Sequence, residues 1–269
     1  MSSPTEITVP QLSRLIGTPN LPVIIDVCID QDFAETPFLL PTARRFPFHD
    51  IAALAPQLRD QRVVVYCQKG KKISQGAAAI LREQGIFAET LEGGVLAWKD
   101  AKELLVPAQV IPKPNSSGRT VWVTKQRPKV DRIACPWLIR RFIDADAQFL
   151  FVAPSEVLNV AEKFQATAFD VDDAVWNHRG DQCTFDMMIE KFNLKSAPLL
   201  HLATVVRGAD TNQLNLAPES SGLLAASLGL SRMYSDDLVQ LNAGMMLYDT
   251  FYRWARDATE ETHDSTIRN

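Results

Sequence analysis

No apolar run in the 269-residue chain approaches the ~20 residues needed to span a bilayer, so membrane insertion is not expected. The opening MSSPTEITVPQLSRLI lacks a basic start followed by an apolar core; it does not read as a secretory signal, and the cytoplasm is the expected compartment. No CxxC pair is present. The four cysteines stand at 28, 67, 135 and 183, a spacing that argues against a disulfide framework or a cysteine-rich zinc module and predicts reduced thiols. Basic charge is also short: a net charge of −4 disfavours a broad nucleic-acid surface and leaves DNA binding to be argued locally.

What is present is patterned in two ways. LPVIIDV (21–27) and RVVVYC (62–67) are short, β-branched and unbroken, as strands buried on both faces are. Between them DIAALAPQL reads as helical with a break at Pro56. SQGAAAILREQG (74–85) has helical spacing and a glycine stop, IFAETLEGG a short strand and turn, and VLAWKDAKELL another helix. Strands alternating with helices predict a parallel α/β sheet flanked by helices.

The proline-rich PAQVIPKPNSSGR marks a linker, giving a first domain at 1–108, a linker at 109–119 and a second domain at 120–269. The second domain reads as mainly helical α+β. VWVTK and AQFLFV are its strands, and DRIACPWLIRRFID, EVLNVAEKF, FDMMIEKFNL, LLAASLGLSRM and the long segment from Asp236 are its helices.

Chemistry concentrates in VVVYCQKGKKIS (63–74). A strand ending at Cys67 and leading through a glycine-containing loop into a helix puts the thiol at the carboxyl edge of a parallel sheet, where such sheets bind ligands. Helix-start N–H groups with Lys69, Lys71 and Lys72 favour a thiolate or a bound oxyanion. The alternative is a small buried hydrophobe beside a solvated lysine loop.

CQKGKK resembles the active-site loop of rhodanese-type sulfurtransferases, usually Cys-x-x-Gly-x-Arg. VIIDV, LPTARRFPF and LEGGVLAW extend that resemblance over residues 5–105. The resemblance implies that Cys67 carries a sulfane sulfur as a persulfide, taken from thiosulfate or another donor and passed to a thiol or cyanide, with no cofactor required. Gln68, Lys69, Gly70, Lys71 and Lys72 would bind the anion, and Asp26 would support the loop from behind. The fifth residue after Cys67 is the basic Lys72 and the sixth is Ile73, a spacing that favours sulfur over the phosphate taken by related phosphatases. Lys72 and Cys28 stand where arginine is usual, and an ammonium does not reproduce bidentate guanidinium contacts. Cys28 is a candidate resolving thiol, with a buried strand cysteine as its plainer reading.

In the second domain, QRPKVDRIACPWLIRRFIDADAQFLFV, FDVDDAVWNHRGDQCTFDMMIEKFNL, VVRGAD, LAPESSGLLAASLGLSRMY and LYDTFYRWAR run in order over 125–256 and resemble the chromate-resistance protein B family. That resemblance implies a part in chromate resistance, as an accessory protein or as a chromate-responsive regulator; DNA is a partner only under the second. Pro136 suits a first helical turn, which would place Cys135 at the positive end of a helix. HRGDQC brings His178 within five positions of Cys183. Asp131, Cys135, His178 and Cys183 form a candidate site for a divalent transition metal or a redox anion, with His178 and then Asp131 the leading ligands and Arg132 a candidate for oxyanion capture. Arg207 and Asp210, at the turn through Gly208, read as structural. Leu247, Tyr248, Phe251, Tyr252 and Trp254 form a broad apolar stripe, for core packing or a homodimer seam.

Overall fold

The computed structural model describes residues 4–261. The chain divides into two compact units, residues 1–113 with 139–146 and residues 114–138 with 147–269.

In the first unit, β1 (Glu6–Ile7), α1 (Val9–Ser13), β2 (Val23–Asp26), α2 (Asp30–Glu35), β3 (Phe38–Leu39) and β4 (Arg44–Arg45) precede β5 (Arg62–Tyr66). There follow α3 (Lys72–Glu83), β6 (Phe87–Leu91), α4 (Gly94–Asp100) and β7 (Val106–Pro107). Five strands form one parallel sheet in the order β1-β6-β5-β2-β4. The centre of that order falls to β5, whose Val63, Val64 and Val65 are fully buried; β-branched chains suit a strand covered on both faces. Pairing runs past β2, with Val27 N–H donating to the Tyr66 carbonyl at 2.9 Å, so the residues after β2 and β5 leave the sheet side by side.

Two segments differ from the sequence expectation. The segment around Pro56 is a ten-residue 3-10 helix, Phe48–Gln57, because proline lacks the N–H of an α-helical ladder and crowds the preceding turn. The helix after LEGG stops at Asp100 instead of running through Leu105. Lys102 adopts a φ of 59°, and the Trp98 indole donates to the Leu104 carbonyl at 2.8 Å, folding the chain back.

The second unit contains β8 (Val121–Lys125), the start of α5 (Asp131–Phe142), β9 (Gln148–Val152), α6 (Val157–Phe164), β10 (Thr167–Ala168) and α7 (Thr184–Lys191). It closes with α8 (Ala197–Asp210), α9 (Glu219–Met233) and α10 (Asp237–Asp257). Its sheet is parallel, in the order β10-β8-β9. Alternation along β8 sends Trp122 to one face, against Phe169, Trp176 and Phe192, and Val123 to the other, against Val157 and Val171. Helix α10 buries Leu241, Gly244, Met245, Tyr248 and Tyr252, at i, i+3, i+4, i+7 and i+11. Of the stripe expected from sequence only Tyr248 and Tyr252 are in this core; Leu247, Phe251 and Trp254 are half-buried.

Candidate functional site

Cys67 follows β5 directly and is 4% exposed. Its Sγ lies 3.2 Å from the Ser74 hydroxyl, in the first turn of α3, and that hydroxyl also sits 3.2 Å from the Lys71 carbonyl. The loop between them is gripped from behind by the turn after β6. Val95 N–H donates to the Cys67 carbonyl and Leu96 N–H to the Gln68 carbonyl, both at 3.1 Å. Gly70, Gly93 and Gly94 all have positive φ, at 64°, 70° and 62°. A Cβ on Gly70 would fall 2.4 Å from the Leu91 carbonyl oxygen and 2.7 Å from the Gly94 nitrogen; the two backbones touch where side chains cannot fit. Gln68 donates to Glu35 at 2.8 Å, and Lys69, Lys71 and Lys72 are exposed. The result is a buried sulfur beside one hydroxyl, on a basic loop fixed in backbone conformation.

Asp26 lies at the end of β2, 1% exposed, and its Oδ1 accepts the Cys28 N–H at 2.8 Å. Burial pushes its carboxyl up from the ordinary 3.8, against the pull of its bonds to Cys28 and of Arg45. Burial, followed by the negative charge of Asp26, pushes the Cys28 thiol far up and keeps it protonated. Arg45, a residue the sequence reading did not single out, donates to the Cys28 carbonyl at 3.1 Å and to Asp30 at 2.9 Å, and its guanidinium covers the Phe33 ring at 3.9 Å. A guanidinium thus reaches the Cys28 backbone from β4.

The raised Asp26 carboxyl fixes a sign. Ionisation is harder in the folded chain than in the unfolded one, so Asp26 favours folding below the ordinary 3.8 and loses that contribution as pH rises through its higher folded value. Asp26→Asn is therefore expected to gain stability relative to wild type as pH climbs from ~4 to neutrality. Urea unfolding curves for both proteins at several pH values check this; a stability difference, variant minus wild type, that falls as pH rises would contradict it.

The second unit gathers a polar cluster. Asp131, at the start of α5, is 1% exposed; its Oδ2 accepts Thr184 N–H at 2.8 Å and its Oδ1 accepts Phe185 N–H at 3.0 Å, capping α7 from outside. His178 Nε2 stands 3.6 Å from Asp131 Oδ2, 3.3 Å from Asp170 Oδ1 and 3.3 Å from Asp210 Oδ2. These three carboxylates push His178 up to about 12 and favour its protonated form. Burial pushes Asp131 up, against the pull of His178. Asp170 is held by Arg132 Nε at 3.1 Å and by the Thr184 hydroxyl at 3.1 Å.

The sequence reading grouped Asp131, Cys135, His178 and Cys183, and the structure places Asp131 and His178 side by side. The structure keeps both thiols out of the converging set. Helix α5 begins at Asp131, so Pro136 lies inside it instead of in its first turn, and Cys135 donates to Asp131 Oδ1 at 3.4 Å. Cys183 precedes α7 and donates to Asp186 at 3.3 Å. Burial first, and then the charge of Asp131, hold both thiols well above their ordinary range, the reverse of a helix-activated thiolate. Asp170 was missed because FDVDD carries no spacing signal. Asp210 read as structural from an expected turn through Gly208; helix α8 instead runs through Gly208 to Asp210, and the fold brings that helix end to His178. Arg207 turns to Asp186 at 2.9 Å, away from any open role.

A parallel sheet whose central strand delivers a cysteine into a glycine-clasped loop before a helix defines the class: a rhodanese-like α/β domain. Residues 8–101 match the rhodanese-like domain family and residues 122–255 match the C-terminal domain of ChrB. The chain is a rhodanese-like domain joined to a ChrB C-terminal domain.

The chain is 35% identical over 133 residues to Protein ChrB of Cupriavidus metallidurans, an alignment covering 49% of this chain and 39% of that protein; it thus spans about two-fifths of that relative's length. It is 26% identical over 94 residues to a sulfurtransferase of Allochromatium vinosum, covering 35% of this chain and 86% of that one. Among solved structures, a rhodanese-related protein from Thermoplasma volcanium aligns at 20% identity and a TM-score of 0.33, covering 38% of this chain and 96% of that one. Among the described residues, no helix is long and apolar enough to cross a membrane.

Proposed function

We propose that the first domain is a sulfurtransferase in which Cys67 carries a sulfane sulfur, serving chromate or sulfur-oxyanion detoxification in the cytoplasm through its fusion to the ChrB-type domain. The observation that carries this reading is Cys67 Sγ at the carboxyl end of β5, 3.2 Å from Ser74 Oγ, on a loop bearing three exposed lysines. The Cys67 thiolate attacks the outer sulfur of thiosulfate, the S–S bond breaks, and sulfite leaves with the electron pair. A thiol or cyanide then attacks the outer sulfur of the persulfide, and the Cys67 thiolate is the leaving group. The lysines attract the anionic donor and Ser74 donates to the sulfur when it is anionic. Anaerobic incubation with thiosulfate is expected to add about 32 Da, one sulfur atom, to the intact chain and to release that mass to cyanide. A chain of unchanged mass would remove the proposal.

Ser74→Ala takes one hydrogen-bond donor from the sulfur. A fall in kcat of about tenfold is expected, the equivalent of ~1.4 kcal/mol, with the adduct still forming. Steady-state rates with thiosulfate and cyanide check it; an unchanged kcat would give Ser74 a purely structural place.

A further inference from the structure

We infer that the ChrB-type domain holds a first-row divalent cation, Mn2+, Fe2+ or Zn2+, on Asp131, Asp170 and His178, with Asp210 beside them. The inference stands apart from Cys67 and its chemistry.

The geometry is that of ligands sharing one centre. One imidazole nitrogen faces three carboxylate oxygens from three separate elements at 3.3 to 3.6 Å. Donor atoms placed tetrahedrally at ~2.1 Å around an ion stand ~3.4 Å from one another. A single N–H has one hydrogen, so it points at one of those oxygens and leaves the others near it without a proton between them. The ligand atoms of Asp131, Asp170 and His178 all lie within 4.8 Å of one another, which lets one ion touch all three.

The supports of these ligands are in place. Asp131 is fixed by Thr184 N–H and Phe185 N–H, and Asp170 by Arg132 and the Thr184 hydroxyl. Each carboxylate oxygen has a second lone pair, so these bonds orient the ligands without using them up.

An independent observation comes from the sheet. Thr124 Oγ1 is buried and has no hydrogen-bond partner among the described residues. Alternation puts Thr124 on the Trp122 face of β8, the face turned to Phe169 and Trp176. It lies one residue beyond Val123, which pairs with Ala168 and whose carbonyl accepts the Phe169 N–H at 3.1 Å, so Thr124 stands level with Phe169, the residue before Asp170. A buried hydroxyl without a protein partner is the kind of group that a bound water or ion satisfies.

The donor set selects the ion. Carboxylates with one imidazole suit Mn2+, Fe2+ or Zn2+, and the exclusion of Cys135 and Cys183 removes the preference for soft metals. The His178 side chain is 37% exposed, so the ion has an open side for water or an anion.

The test uses the full chain, stripped with a chelator and titrated separately with Mn2+, Fe2+ under anaerobic conditions, and Zn2+. The expected result is about one tightly held ion per chain for at least one metal, reduced at least tenfold in affinity in His178→Ala and Asp170→Asn. Where those variants fail to fold, the wild type decides by itself: the metal-loaded chain is expected to unfold at a higher urea concentration than the chelator-stripped chain, because an ion held only by the folded state stabilises it. Absence of stoichiometric binding for all three metals, retention of it in both folded variants, or equal urea midpoints for the stripped and loaded wild type would overturn the inference.

Discussion

Cys67→Ser is expected to abolish thiosulfate-dependent sulfur transfer, by about a thousandfold or more, and to eliminate the sulfur adduct on the intact chain. Serine is nearly the same size and leaves the strand, loop and helix in place, so the loss reports chemistry. A thiolate is the nucleophile of sulfur exchange, and the serine hydroxyl neither ionises near neutral pH nor forms a persulfide. Ser74, 3.2 Å from Sγ, is no substitute, since its hydroxyl is in the same position chemically. Cys28→Ser is the matching control. Cys28 is buried with its thiol pushed far up, so it is expected to leave the first sulfur adduct intact. Sulfite release and intact mass measured on all three proteins decide the matter; residual transfer in Cys67→Ser at wild-type rates would end the sulfurtransferase reading.

Gly94→Ala is the second large effect, on folding and site together. The added methyl would lie 2.1 Å from the Cys67 carbonyl oxygen, 2.4 Å from the Gly70 nitrogen and 2.7 Å from the Gln68 carbonyl oxygen. All three obstacles are backbone, so no rotamer change relieves them, and the φ of 62° adds a penalty of its own. A loss of about 3 kcal/mol or more from the stability of the first unit is expected, with sulfur transfer lost even in protein that remains folded. Gly76→Ala, in α3 with open space around its Cβ, is expected to gain about 0.5–1 kcal/mol. Urea unfolding of the two variants beside wild type gives the comparison. Equal midpoints for Gly94→Ala and wild type would mean that the loop does not depend on this close approach.

Much of the first unit was legible because its signals are local. VIIDV and RVVVY are β-branched runs with no polar alternation, and only a strand buried on both faces uses such a run. CQKGKK could be placed at the sheet edge from the strand before it and the helix after it. The 3-10 helix through Pro56 and the early end of α4 were not legible, since both depend on how the chain turns back on itself. The sequence likewise displayed LEGG as a motif without revealing that its glycines exist to admit the Cys67 loop.

In the second unit the balance shifts. Asp131 and His178 drew notice as residue types near cysteines, yet the cysteines proved to be buried donors to Asp131 and Asp186, and the partners that matter are Asp170 and Asp210. These four residues come from a helix start, a strand exit, a loop and a helix end, separated by up to 79 positions. By itself the sequence determined the parallel sheet, the position of Cys67 on it and the joining of two unlike domains, because periodicity, glycine placement and ordered motifs act over short stretches. Only the tertiary structure decided which carboxylates surround His178 and which thiols stay protonated, because convergence and burial are set by residues distant in the chain.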